Sequence, residues 1–222
     1  MTWTVRAPFV LVTYGTSLTT GRLSATWPER LVQGIIGAPE CVGPFILYNM
    51  GKGGQTSVWG AANAYLAADM KPTHILSEGF AINDCFGGAS PVVSQANHLA
   101  NMASMRSTWR ASNPSVDITW QTMSSVDTTV ATGRTLLANY YADEMTFATS
   151  NGDSKIDNYL GAGGTYPGPS TGWIKPLTTS LTYDNDGLHP IWAGAVDTYL
   201  YPNVYWWARN KMATFWGLPA PT

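Results

Sequence analysis

At 222 residues, 45% of them apolar, the chain is long enough to fill one α/β core and too apolar to be read as disordered. Charged residues make up only 12% and the formal net charge is −2, which excludes the basic stripe a nucleic-acid binder needs to neutralise phosphates. The first compact apolar run, 9–14, reads as a strand covered on both faces and gives way to Gly15-Thr16-Ser17. Helical spacing follows over 25–36, with Ser24 as a cap and Trp27, Leu31, Val32, Ile35 and Ile36 close to one face. A second strand at 45–48 runs into a glycine-rich loop, 49–57, and an alanine-rich helix at 56–69. The third strand is 74–77, and the helix after it, 91–110, is expected to carry Pro91 in its first turn, where a missing N–H costs little. A fourth strand at 116–121, a helix at 131–147, a weaker fifth strand at 155–160 and a helix at 191–212 complete the series. Residues 161–180, rich in Gly, Pro, Ser and Thr, read equally well as the rim of a site and as a surface excursion.

Strands alternating with helices predict right-handed crossovers and a mainly parallel sheet covered on both sides, in one domain spanning 1–222. Sites in such sheets form outside the carboxyl ends of the strands, so the loops to inspect follow Tyr14, Asn49 and Phe80. Cys41 and Cys85 stand at no metal-ligand spacing and exclude a multi-disulfide framework, leaving one bridge open. No run reaches the roughly 18–20 apolar residues of a membrane span. The opening MTWTVRAPFVLVTYG lacks the basic n-region and small-residue cleavage site of a signal peptide. A soluble protein is therefore expected, with no compartment assigned. The ten tryptophans and eleven tyrosines suit stacking on a sugar, although core filling explains most of them more simply.

Four polar clusters carry candidate chemistry. Ser17 lies just beyond the first strand, where its own N–H can face an anion, though serine after glycine is also ordinary turn chemistry. The loop from Asn49 to Ser57 holds Gly51, Gly53 and Gly54, which let a backbone approach a ligand. It is not a Walker loop, because Lys52 is followed by Gly53, and the first strand–helix turn lacks the glycine triplet of a dinucleotide site. The third loop, Glu78-Gly79-Phe80-Ala81-Ile82-Asn83-Asp84-Cys85, offers the Asn83 amide as an oxyanion donor. The fourth, Tyr183-Asp184-Asn185-Asp186-Gly187-Leu188-His189-Pro190, sets Asp186 three residues before His189, close enough to fix the imidazole tautomer. Asp184 is the alternative acid. Of the other histidines, His74 is read as starting a strand, and His98 as helical with no carboxylate placed to orient it.

Taken in chain order, Gly-x-Ser, Asn-x-Gly-x-x-Gly-x-Thr, Asn-Asp and Asp-x-x-His before the last helix resemble the SGNH (GDSL-like) hydrolase family, over residues 15 to 189. The resemblance implies a flavodoxin-like three-layer α/β/α sandwich with a five-stranded, mainly parallel sheet. It implies Ser17 as nucleophile, His189 as general base and acid, and Asp186 as the orienting carboxylate. The oxyanion hole would comprise the N–H groups of Ser17 and Gly54 and the Asn83 amide, with no metal or organic cofactor. Two positions depart from the pattern: Thr16 replaces the usual Asp, and Ala81 the usual Gly. The literal Gly152-Asp153-Ser154 is set aside as a decoy, because it follows the Asn-Asp block and no buried strand precedes it. The activity expected is hydrolysis of short acyl esters, O-acetyl groups on carbohydrate first. The alternatives are a lysophospholipase or thioesterase, and a carbohydrate-binding relative without catalysis.

Overall fold

The computed structural model describes residues 5–20, 27–123, 126, 133–161 and 200–222. Five parallel strands form one sheet: β1 (Phe9–Gly15), β2 (Phe45–Gly51), β3 (His74–Ser77), β4 (Asp117–Thr122) and β5 (Ser154–Asp157). Their spatial order is β2-β1-β3-β4-β5. The long helices are α2 (Trp27–Ile35), α3 (Ser57–Asp69), α5 (Gln95–Ser112), α6 (Leu137–Ser150) and α8 (Tyr201–Trp216). Three single-turn helices also occur among the described residues: α1 (Ser17–Thr20), where Ser17 was expected at the entrance to a helix, and α4 (Ala81–Asp84) and α7 (Asn158–Gly161), which were not foreseen from the sequence.

The pleat of β1 sorts its side chains between two cores. Phe9 and Leu11 join Leu31 and Ile35 of α2 and Val204, Ala208 and Met212 of α8 on one face. Val12 and Tyr14 join Ala64 and Ala67 of α3 and Met102, Met105 and Trp109 of α5 on the other. The expected parallel sheet with helices on both sides is thus present. Most of the largest buried side chains are aromatic, among them Trp27, Trp109, Trp120, Tyr14, Tyr140, Tyr141 and Tyr159, so core filling accounts for these rings.

Several boundaries differ from expectation. β2 continues through Asn49, Met50 and Gly51, because its backbone pairs with β1 as far as Gly15↔Gly51. It is also an edge strand, with Ile46 and Tyr48 exposed, and not covered on both faces as expected. Pro91 precedes α5 and does not occupy its first turn: Ser94 is the cap, its hydroxyl accepting from Asn97 N–H. β5 stops at Asp157, where Asn158 Nδ2 donates to Thr122 O (2.8 Å) and Tyr159 N–H to Thr122 Oγ1 (2.9 Å), turning the chain into α7. Cys41 and Cys85 are both free, which closes the question of a bridge between them. Among the described residues, no helix is long and apolar enough to cross a membrane.

Candidate active site

β1, β2 and β3 deliver three of the four polar clusters to one edge of the sheet, beyond their carboxyl ends. Ser17 opens α1 two residues past β1. Thr16 caps this turn: its carbonyl accepts from the N–H groups of Thr19 and Thr20, and its Oγ1 from Leu18 N–H (3.2 Å). The hydroxyl at position 16 therefore has a definite task, where a carboxylate was the usual expectation.

The glycine loop lies directly against Ser17. A Cβ added to Gly53 would be 3.7 Å from Ser17 Cβ, and Lys52 N–H donates to Gly15 O (2.8 Å). Gly51 packs on α1 so closely that a Cβ there would meet Thr20 N at 2.3 Å. Asn49 closes the seam, with Nδ2 donating to Thr19 O (3.3 Å) and Oδ1 accepting from Gly51 N–H (3.1 Å). Gly54 has φ +72, a left-handed conformation that glycine adopts without strain, and among the described residues nothing beyond its chain neighbours lies within 4 Å of where its Cβ would be.

Asn83 reaches the same loop from α4, its Nδ2 donating to Gln55 O at 2.7 Å. An amide carries two N–H groups, so this bond fixes the orientation of the side chain while spending one donor. The positive φ angles of this loop fall on Gly79 (+71) and Phe80 (+79), not on Ala81, so alanine is accommodated there. Ser17, Gly54 and Asn83 are thus gathered at one edge. Asp186, His189 and the alternative Asp184 lie outside the described residues, as does most of 161–180.

Ser154 is elsewhere. It starts β5, paired with Thr119, at the amino ends of the strands, and its Oγ accepts from Lys211 Nζ (2.7 Å), which also pairs with Asp117. Its neighbour Asp153 is held by Arg106 Nε (2.8 Å) and Trp120 Nε1 (3.1 Å). The literal Gly-Asp-Ser is therefore built into the opposite end of the sheet.

No family model matches the chain, and no curated protein does either. Solved structures do. The lipase/acylhydrolase from Enterococcus faecalis superposes with a TM-score of 0.66 at 16% identity, covering 96% of this chain and 98% of that one. A catalytic mutant of the acetylxylan esterase from Geobacillus stearothermophilus gives 0.65 at 17% identity, covering 96% of each chain. A GDSL-like lipase from Bacteroides thetaiotaomicron gives 0.62 at 14% identity, covering 91% and 88%. This chain has the SGNH hydrolase fold.

Within that SGNH fold, sequence reasoning missed a set of buried charges beneath the three loops. His98, read as lacking a carboxylate, has one: its Nδ1 is 2.7 Å from Asp84 Oδ2, and its Nε2 is 3.4 Å from Glu144 Oε1. Asp84 Oδ1 in turn accepts from Ser57 N–H (2.8 Å), and Asn101 Nδ2 donates to Ser57 Oγ (2.9 Å), anchoring the start of α3 behind the glycine loop. Burial pulls the His98 imidazole down, but Asp84 and Glu144 outweigh it and hold it at about 9. Burial pushes Glu144 up to about 7, against the pull of His98. His98 is therefore a cation at neutral pH, held closely by Asp84 and with a half-ionised Glu144 at its other nitrogen, and is unsuited to act as a base. His74 is the opposite case, stacked 4.1 Å from Phe9 and pushed down to about 4 by burial. Among the described residues, no group of three His, Cys, Asp or Glu side chains is arranged to hold a metal ion.

Proposed function

We propose that this SGNH-fold chain is a single-domain serine esterase acting on short acyl esters, with O-acetyl groups on carbohydrate as the first substrate class. The observation that carries the reading is the approach of Ser17, the Gly53–Gly54 loop and Asn83 at the carboxyl edge of the sheet, in the chain order that resembles the family. In this mechanism the Ser17 hydroxyl attacks the ester carbonyl carbon as His189 takes its proton. Asp186 holds the imidazole tautomer and stabilises the imidazolium. The tetrahedral oxyanion accepts from the N–H groups of Ser17 and Gly54 and from the Asn83 N–H that does not bond Gln55. Collapse breaks the C–O bond, and the alcohol leaves with the proton from His189. Water, deprotonated by His189, then releases the acid and regenerates Ser17.

The neighbour from Geobacillus stearothermophilus is an acetylxylan esterase, which supports placing acetylated carbohydrate first. The test is hydrolysis of p-nitrophenyl acetate by the native chain, Ser17→Ala and Ser154→Ala. Loss of activity in Ser17→Ala alone is expected, and an active Ser17→Ala would overturn the assignment. A series of longer p-nitrophenyl esters separates the acetyl preference from a lysophospholipase or thioesterase profile. A native chain inactive on every acyl length would favour a binding protein.

A further inference from the structure

α1 is one turn long, and an isolated turn of helix does not hold its own shape. What fixes it comes from β3. Glu78 follows the last residue of that strand and is 1% exposed. Its Oε1 accepts from Thr16 N–H at 2.7 Å, and its Oε2 accepts from the Thr19 hydroxyl. One bond is made just before Ser17 and the other just after it, so the carboxylate brackets the serine. Gly15 makes the room: a Cβ there would stand 2.3 Å from Glu78 Cγ, 2.5 Å from its Cδ and 2.5 Å from Thr19 Oγ1. The glycine before the serine is therefore required by the carboxyl group that fills the space above it. Gly15 is not among the residues with positive φ.

We infer that Glu78 is a positioning residue for Ser17: its buried carboxylate sets the Thr16–Thr19 turn and so aims the serine hydroxyl and N–H at the ester. This rests on Ser17 being the nucleophile. The turn has no carboxylate of its own at position 16 and receives one from the neighbouring strand. Burial pushes the Glu78 carboxyl group up and the bonds from Thr16 and Thr19 pull against it, so a polar group that is costly to bury finds its partners in the two residues that flank the serine and its next neighbour. A displacement of about 1 Å at a reacting group costs on the order of 100-fold in rate, so a pin on this turn acts on kcat.

The experiment is steady-state hydrolysis of p-nitrophenyl acetate by Glu78→Gln, Thr19→Val and Thr19→Ser, with Ser17→Ala alongside and thermal unfolding recorded for each. Glu78→Gln and Thr19→Val are expected to lower kcat about 10- to 100-fold at nearly native KM, whereas Thr19→Ser, which keeps the hydroxyl, retains kcat within about threefold. If Glu78→Gln does not fold, the near-isosteric Thr19→Val decides. A native kcat per folded molecule, with or without a lower Tm, overturns the inference, and so does a change confined to KM. An active Ser17→Ala removes the nucleophile on which the inference rests, and that single variant distinguishes this failure from the first.

Discussion

The cation beneath the site makes stability depend on pH in a direction that can be worked out. His98 is fully buried, 2.7 Å from Asp84, 3.4 Å from Glu144 and edge-on to Tyr140 at 5.2 Å between ring centres. Its folded pKa of about 9 lies above the ordinary 6.5, so the folded state binds this proton more tightly than the unfolded chain. The stabilisation is complete below pH 6.5 and is lost as pH rises through 9. At about 1.4 kcal/mol per pH unit, the shift corresponds to about 3 kcal/mol. Glu144 acts in the same direction in a lower window, because its pKa is raised from 4.5 to about 7 and ionising it favours the unfolded chain. The comparison variant is His98→Gln/Glu144→Gln, in which neither position titrates while the shapes are nearly kept. Urea unfolding of both proteins at intervals from pH 6 to pH 10 measures the difference. The native chain is expected to lose about 4–5 kcal/mol relative to the variant across that range, about 3 from His98 and about 1.4 from the upper part of the Glu144 window. Parallel pH profiles would refute the charged-histidine account.

If Asn83 has its proposed role, Asn83→Ala lowers kcat about 100- to 1,000-fold, the cost of one oxyanion donor, with a nearly native Tm because Asn83 is only partly buried; thermal unfolding beside the ester assay checks both. Gly79→Ala places a Cβ 2.0 Å from Glu144 Oε1 at a φ of +71. Left-handed strain and the displaced carboxylate together should cost about 2–4 kcal/mol in urea unfolding at pH 7. Asp84→Ala leaves the His98 charge with only the longer Glu144 contact and frees Ser57 N–H, and should cost about 3–5 kcal/mol by the same measurement, with a smaller loss above pH 9 where the imidazole is neutral.

Much of the sheet was legible because its strands are apolar runs with abrupt polar ends, as in Phe9–Gly15 and His74–Ser77. The sequence misled where backbone pairing or a side-chain cap sets the boundary. Asn49 and Gly51, a polar residue and a glycine on either side of Met50, read as loop, yet all three extend β2 because β1 offers them partners through Gly15. Ser94 starts α5 in place of Pro91 because a hydroxyl that accepts Asn97 N–H satisfies an orphan donor, which proline at 91 does not do. The single turns α1, α4 and α7 have no periodicity to read. They are shaped by contacts with residues far along the chain, such as the bonds of Asn158 and Tyr159 to Thr122.

The same distinction separates the readable half of the site from the rest. Ser17, Gly54 and Asn83 stood out because they fall at strand ends in a recurring order. Glu78 bonds Thr16 across 62 positions, and His98 meets Asp84 across 14, so no local spacing announces either contact. Their burial is itself informative. Apolar replacements for a buried ion group are often neutral or stabilising to a fold, so packing does not demand these charges. They lie against the turns that carry Ser17 and Asn83 and the start of α3 behind Gly54. Those turns are too short to orient themselves, and a directional bond to a fixed carboxylate does what a nondirectional apolar contact cannot. The charges beneath the site are therefore best understood as the means by which a parallel sheet holds three short loops at fixed relative positions.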